Sequence, residues 1–217
     1  MKMKILDNRE QLLKMMPFRP DIFYYFQVMS RKKDNPGQSR DIQLLSKCIT
    51  SEDALNLYMP EIEALCKEFG ARCYVSIWPR SIEKFTKEMN VRLASRVKSG
   101  SYSFKVFREF DSISLSRDII QWKGIIPKSI CMLDVDTLDG ENLRSLEEYL
   151  RAGGIEIVDI VPSVSGKHYI CSNFYPLKFG AKKVDNAEIW EFDHDGRTFT
   201  MCRDMNLIFY ACLKELE

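Results

Sequence analysis

The chain has 217 residues, a net charge of +1, 45% hydrophobic and 29% charged side chains. Those values belong to a folded globular protein with a sizeable core; they exclude intrinsic disorder, and a near-neutral balance names no partner by bulk charge. No stretch approaches the roughly 18 consecutive apolar residues of a membrane-spanning helix.

The start, MKMKILDNREQ, lacks the apolar core of a signal peptide, so a cytoplasmic protein with no membrane partner is expected. Next, REQLLKMM reads as a short helix and FRPDIFYYFQVMS as a strand. RKKDNPGQSR is basic, polar and turn-rich, which predicts an exposed, mobile loop. SEDALNLYMPEIEALCKEFG reads as a helix capped by Ser51, ended by Gly70 and bent at Pro60. ARCYVSIW follows as a strand, and SIEKFTKEMNVRLASRVKSG as a helix from the Ser81 cap to Gly100.

The second half alternates more plainly. SICMLDV is a buried strand, and ENLRSLEEYLRAGG is an amphipathic helix ending at Gly153 and Gly154. IEIVDIV and KHYICSN are strands joined by the turn PSVSG. AEIWEFD and RTFTMCR flank HDG as a hairpin, and NLIFYACL closes the chain as a strand or short buried helix. The fold class expected is therefore α/β (α+β), built as two packed modules. An N-terminal α/β module covers about 1–128. An RRM-like or palm-like module covers about 129–217 and opens with β-α-β-β over 129–173.

Seven cysteines stand singly with no CxxC among them, which predicts buried free thiols in a reducing compartment. A zinc site of His168, Cys171, His194 and Cys202 is the alternative. Charge is segregated: residues 91–128 carry eight basic against three acidic side chains, and residues 129–160 carry eight acids against Arg144 and Arg151. Adjacent basic and acidic segments suit a site holding metal ions beside a polyanion, or simply two solvated faces.

The chemistry concentrates in three stretches. In CMLDVD, Asp134 and Asp136 are spaced i, i+2 at the end of an apolar strand, so they point the same way. Two like charges at one point favour a divalent cation between them, and Mg2+ or Mn2+ with oxygen ligands meets that need. Solvated turn aspartates ahead of the next helix are the competing reading. In PSVSGKHYI, Gly166 permits close backbone approach, and Ser163, Ser165, Lys167 and His168 are all suited to phosphate. SGKH shares Gly-Lys with a P-loop but lacks its first glycine, and His follows the lysine. In VSIWPRS, Arg80 falls at a helix N-terminus, where anions are favoured.

Taken together, CMLDVD, SVSGKHYI about thirty residues later, and VSIWPR before both resemble the catalytic core of the archaeo-eukaryotic primase superfamily, which includes primase-polymerases of phages and mobile elements. The resemblance covers roughly residues 71–175. It implies a nucleotidyltransferase for DNA replication, with its active site in a cleft between the modules. Asp134 and Asp136 would bind Mg2+ or Mn2+ as catalytic residues beside His168. Arg80, Ser165, Gly166, Lys167 and His168 would bind the nucleotide. The family's third acidic ligand is not distinctive here. Asp185, Glu188, Asp193, Asp195 and Asp204 are available, Asp193 being the first choice and Asp204 the next. The implied partners are a nucleotide triphosphate, a single-stranded DNA or RNA template, and a helicase or other replication protein. Two other readings remain open: a catalytically degenerate nucleic-acid-binding relative, and a DxD glycosyltransferase using a nucleotide sugar.

Overall fold

Order along the chain begins β1 (Met3–Asp7), α1 (Arg9–Lys14), β2 (Ile22–Ser30), a 3-10 turn at Lys32–Asp34, β3 (Ile42–Ile49), α2 (Glu52–Phe69), β4 (Arg72–Ser76), β5 (Arg80–Ser81), α3 (Ile82–Lys98) and α4 (Val106–Leu115). After a second 3-10 turn at Arg117–Ile119 come β6 (Cys131–Val135), α5 (Gly140–Ala152), β7 (Glu156–Pro162), β8 (Lys167–Ser172), β9 (Lys182–Val184), β10 (Ile189–His194), β11 (Arg197–Cys202) and β12 (Asn206–Lys214). This is a computed structural model, and it describes residues 3–101, 106–121, 130–136, 139–173, 175, 179–184, 189–202 and 206–214. The protein is mixed α/β, with two sheets. It divides into two units, Met1–Ile125 with Phe209–Glu217, and Ile126–Ile208.

The first unit is built on a sheet ordered β1-β12-β4-β2-β3, with β5 pairing to β2. The apolar run of β12 is a strand, not a helix, and it takes an inner position beside β1, with Ile5 opposite Cys212. It therefore joins the first unit's sheet, although sequence order places it after the second module. β1, β3 and α4 are elements that the sequence reading passed over. The strand IQLLSKCI follows the polar loop directly, and α4 is a short amphipathic helix of ten residues.

Local chemistry explains the helix ends that were expected. Ser51 Oγ accepts the Ala54 N–H at 3.1 Å, and Gly70 ends α2 with φ of 54°. Ser81 Oγ accepts the Lys84 N–H at 3.3 Å to begin α3. On one side of the sheet Phe23, Tyr25, Ile113 and Ile119 pack with Phe85, Met89 and Phe110 from α3 and α4.

The basic loop after β2 is pinned rather than mobile. Arg72 grips Asp34 through two prongs, Nε to Oδ2 at 2.6 Å and Nη2 to Oδ1, and both side chains are nearly buried. Asn35 Nδ2 donates to Ser30 Oγ, the Arg31 carbonyl and the Gly70 carbonyl, while Gln38 Nε2 donates to the Ser30 carbonyl at 2.8 Å. Composition marked the loop's polarity; side-chain hydrogen bonds across 35 residues of sequence are not visible in it.

The second unit holds a sheet ordered β7-β8-β6-β11-β10-β9, and every neighbouring pair in it is antiparallel. Because β6 and β7 both run antiparallel to β8, they are parallel to each other. The β6-α5-β7 crossover thus spans an intervening strand, a split β-α-β unit. Leu143, Leu146 and Leu150 of α5 bury one face of the sheet through Leu133, Val135, Tyr169, Cys171, Phe192, Phe199 and Met201. The six described free cysteines include Cys171, whose thiol burial pushes up to about 12, so it stays protonated.

Helices α3 and α4 are tied by charge as well as by aromatics. Arg92 Nη1 reaches Glu109 Oε2 at 2.9 Å, and Arg96 bonds the other oxygen. Hydrogen bonds from Arg92 and then Arg96 hold the Glu109 carboxyl below its ordinary value of 4.5. A depressed carboxyl adds stability above its unfolded value and loses it as pH falls through the folded one. Glu109→Gln should accordingly lower the melting temperature at pH 7, and the gap to wild type should close by pH 3. Circular dichroism melts at both pH values check this.

Candidate functional site

The site is assembled by strand register. Asp134 of β6 lies directly opposite His168 of β8 on one side and Thr200 of β11 on the other. Side chains of directly paired residues share a face, so Asp134, His168 and Thr200 form one row. That face is opposite to the one α5 covers, since Leu133, Val135 and Tyr169 pack against the helix. Tyr169 confirms the alternation: its hydroxyl donates to Glu147 of α5 at 3.0 Å. Ile170 shares the face of His168, being paired with Met132.

Gly166 brings the two motifs into contact. A Cβ at this position would sit 1.8 Å from the Val135 carbonyl oxygen and 3.0 Å from Asp136 Cα. No side chain fits there, so the turn before β8 lies flat against the end of β6. The turn is closed internally: Ser163 Oγ accepts the Gly166 N–H at 3.0 Å, and the Ser163 N–H donates to the Gly166 carbonyl at 3.0 Å. Ser163 is thus occupied in the turn. Ser165 is the hydroxyl that reaches across, donating to Asp136 Oδ1 at 2.7 Å.

His168 Nε2 lies 3.3 Å from Asp134 Oδ1. The imidazole is only 10% exposed and the carboxylate 41%, so the carboxylate is the group that meets solvent. Nδ1 of His168 is buried without a hydrogen-bond partner among the described residues. An unsatisfied buried polar atom costs about 1–3 kcal/mol.

Beyond Asp134 the strands part. Pairing of β6 with β11 ends at Asp134 and Thr200, while pairing of β6 with β8 continues through Val135 and Lys167. The wedge so opened is a pocket of about 350 Å³ lined by Asp134, Val135, Asp136, Arg197, Thr198, Phe199 and Thr200. Both aspartates therefore face one cavity. The lining from β11 escaped sequence reading: RTFTMC shows alternation but not which strand it borders.

Other expected residues fall elsewhere. Lys167 pairs with Val135 and Pro162, which puts it by alternation on the opposite face from His168. Arg80 belongs to the first unit, where it is buried and donates from Nε to the Ser114 carbonyl at 2.9 Å and from Nη1 to the Trp78 carbonyl at 3.4 Å. Asp193 shares the face of Asp134 but lies two strands away and two residues along. Ideal sheet spacing separates them by on the order of 10 Å. Its carboxylate accepts the Thr198 hydroxyl at 2.7 Å. Asp185, Glu188 and Asp204 lie outside the described residues.

The zinc alternative does not assemble. His168 and Cys171 point to opposite faces, and His194 Nε2 instead meets Ser145 Oγ at 3.0 Å, with Tyr149 stacked on its ring. The Cys202 side chain is outside the described set. Among the described residues no group of three His, Cys, Asp or Glu is placed to hold a metal.

The donor set that does exist is oxygen-rich: two carboxylates, with hydroxyls of Ser165, Thr198 and Thr200 nearby. It suits a hard divalent ion that takes one or two carboxylates from protein and the rest from water and substrate phosphate. It does not suit an ion caged by protein alone.

Comparison with known proteins finds no matching family model, curated protein or solved structure.

The close approach at residue 166 is directly testable. Gly166→Ala should destabilise the protein by about 2 kcal/mol or more, since the added methyl meets backbone that cannot rotate away. Gly140→Ala, where nothing lies within 4 Å of the new methyl, should be neutral or slightly stabilising. Urea unfolding of both variants distinguishes the two outcomes.

Proposed function

We propose that the protein is a metal-dependent nucleotidyltransferase of the primase-polymerase type, which joins nucleotide triphosphates on a single-stranded template. The observation that carries this reading is the union of two motifs about thirty residues apart: Asp134 opposite His168, and Ser165 bonded to Asp136. Neither contact is needed to close the turn or the helix-side core. The split β-α-β unit, with both aspartates at a strand end, supports the RRM-like part of the reading.

In this scheme Asp134 and Asp136 would hold Mg2+ or Mn2+, and the ion would supply the positive charge that a triphosphate needs when a primer hydroxyl displaces pyrophosphate. Asp134 is oriented by His168 behind it, and Asp136 by Ser165. The threonine hydroxyls and Arg197 line the opposite wall and suit phosphate or sugar oxygens.

A second reading is binding without turnover. It is favoured by β11, which sets Thr198 and Thr200, rather than a carboxylate, beside Asp134. Primer-extension and primer-synthesis assays with Mg2+ or Mn2+ separate the two. Wild type should incorporate nucleotide. Asp134→Ala should abolish incorporation by at least a hundredfold, and His168→Ala should weaken nucleotide binding about tenfold without unfolding the chain. Pure, folded wild type that is inactive with every template and nucleotide would discard the enzyme in favour of the binding protein.

A further inference from the structure

The first unit presents a surface that the proposed chemistry does not use. On the sheet face shared with α3 and α4, the far ends of β2, β3 and β4 are only half covered. Gln27 pairs with Tyr74 on one side and Ser46 on the other, and Met29 pairs with Gln43. Gln27, Met29 and Tyr74 are half-buried there, and Gln43 is exposed. The shelf is organised by hydrogen bonds. Gln27 Nε2 donates to Gln43 Oε1, and Gln43 Nε2 donates to Asp111 Oδ2 at 2.9 Å. Asp111 also takes the hydroxyls of Tyr25 and Ser46, so its charge is met by three donors. Arg31 crosses the Tyr74 ring, its guanidinium carbon 5.9 Å from the centroid and Nη1 3.3 Å from the hydroxyl.

The hairpin loop above this shelf is basic in a specific way. Both of its acids are spent on arginines, Asp34 on Arg72 and Asp41 on Arg31. Lys32, Lys33 and Arg40 are left exposed, with no ion pair among the described residues. The loop is held rigid by Asn35 and Gln38, so these charges are presented at set positions rather than on a waving arm.

We infer that this shelf and loop bind single-stranded nucleic acid, with Lys32, Lys33 and Arg40 on phosphates and a base stacked on the Tyr74 ring. A half-buried aromatic on a sheet, flanked by amide side chains and a cationic hairpin, offers stacking and phosphate neutralisation together. A single strand can use both, because its bases are free to leave the stack. A duplex would use the charges alone. The surface supplies the template of the nucleotidyltransferase reading, and in that sense rests on it. Its residues are all in the first unit, so the two claims fail separately.

The test uses the full chain and a fluorescein-labelled 20-nucleotide oligo-dT, read by anisotropy over a range of KCl without metal or nucleotide. Lys32→Gln, Lys33→Gln and Arg40→Gln together should weaken binding at least tenfold at low salt. They should flatten the log Kd against log salt slope by about 2, from roughly 0.7 per phosphate contact. Tyr74→Leu should cost roughly tenfold, and Tyr74→Phe should keep most of the affinity because the ring remains. Binding of Mn2+ with nucleotide should be unchanged in all of these variants. The inference is overturned by an unchanged salt slope, by equal losses for Tyr74→Leu and Tyr74→Phe, or by binding only to duplex or to anionic vesicles. Loss of nucleotide binding in Asp134→Ala with oligo-dT affinity intact is expected, whereas oligo-dT binding that needs Asp134 would place the strand elsewhere. Wild type that binds oligo-dT through these residues but never nucleotide would sink the enzyme and leave this surface standing.

Discussion

The missing side chain at residue 166 is the constraint on which the site depends. With hydrogen alone at that position, the turn after β7 can rest on the Val135 carbonyl, and β8 can pair with β6 to its very end. That pairing is what sets His168 beside Asp134 and Ser165 beside Asp136. Any larger residue forces the two strand ends apart, and the motifs become neighbours in sequence order only. A backbone packing requirement thus positions the chemistry.

On the other flank of β6 the opposite happens. β11 leaves β6 after Thr200, and the parting strands make the pocket. One strand is therefore held tightly on its histidine side and released on its threonine side. The asymmetry lets a carboxylate be oriented from behind while its front stays open to a ligand. The apolar cluster beneath α5 makes this possible, because Leu143, Leu146 and Leu150 hold the reverse face of the same three strands. Burying the reverse face leaves the strand ends free to diverge without loosening the sheet.

The first unit solves a different problem. Its long β2–β3 hairpin would be a floppy basic arm if its charges repelled one another in solvent. Instead a nearly buried, two-pronged Arg72–Asp34 pair and the Asn35 amide anchor it to the neighbouring strand and to the end of α2. Breaking such a pair leaves an uncompensated buried charge, which is far more costly than losing a surface ion pair. The anchoring turns a loop that composition marks as mobile into a fixed platform.

Much of this was legible in the sequence, and for definite reasons. Periodicity and capping residues determined α2, α3 and α5, because Ser51, Ser81 and Gly70 act on backbone groups within a few residues of themselves. Alternation determined that Asp134 and Asp136 share a face, and that Tyr169 faces away from His168, because side chains alternate along any strand. What alternation cannot state is which strand lies beside which. Only the tertiary structure decided that β12 returns to the first sheet, that Thr200 rather than an acid borders Asp134, and that Asp193 stands two strands off. Only it decided that Arg80 donates to the Ser114 carbonyl, since that hydrogen bond joins segments 34 residues apart. The local rules act over a few residues and are written in sequence; strand neighbours and buried polar partners are chosen by the packing of the whole unit.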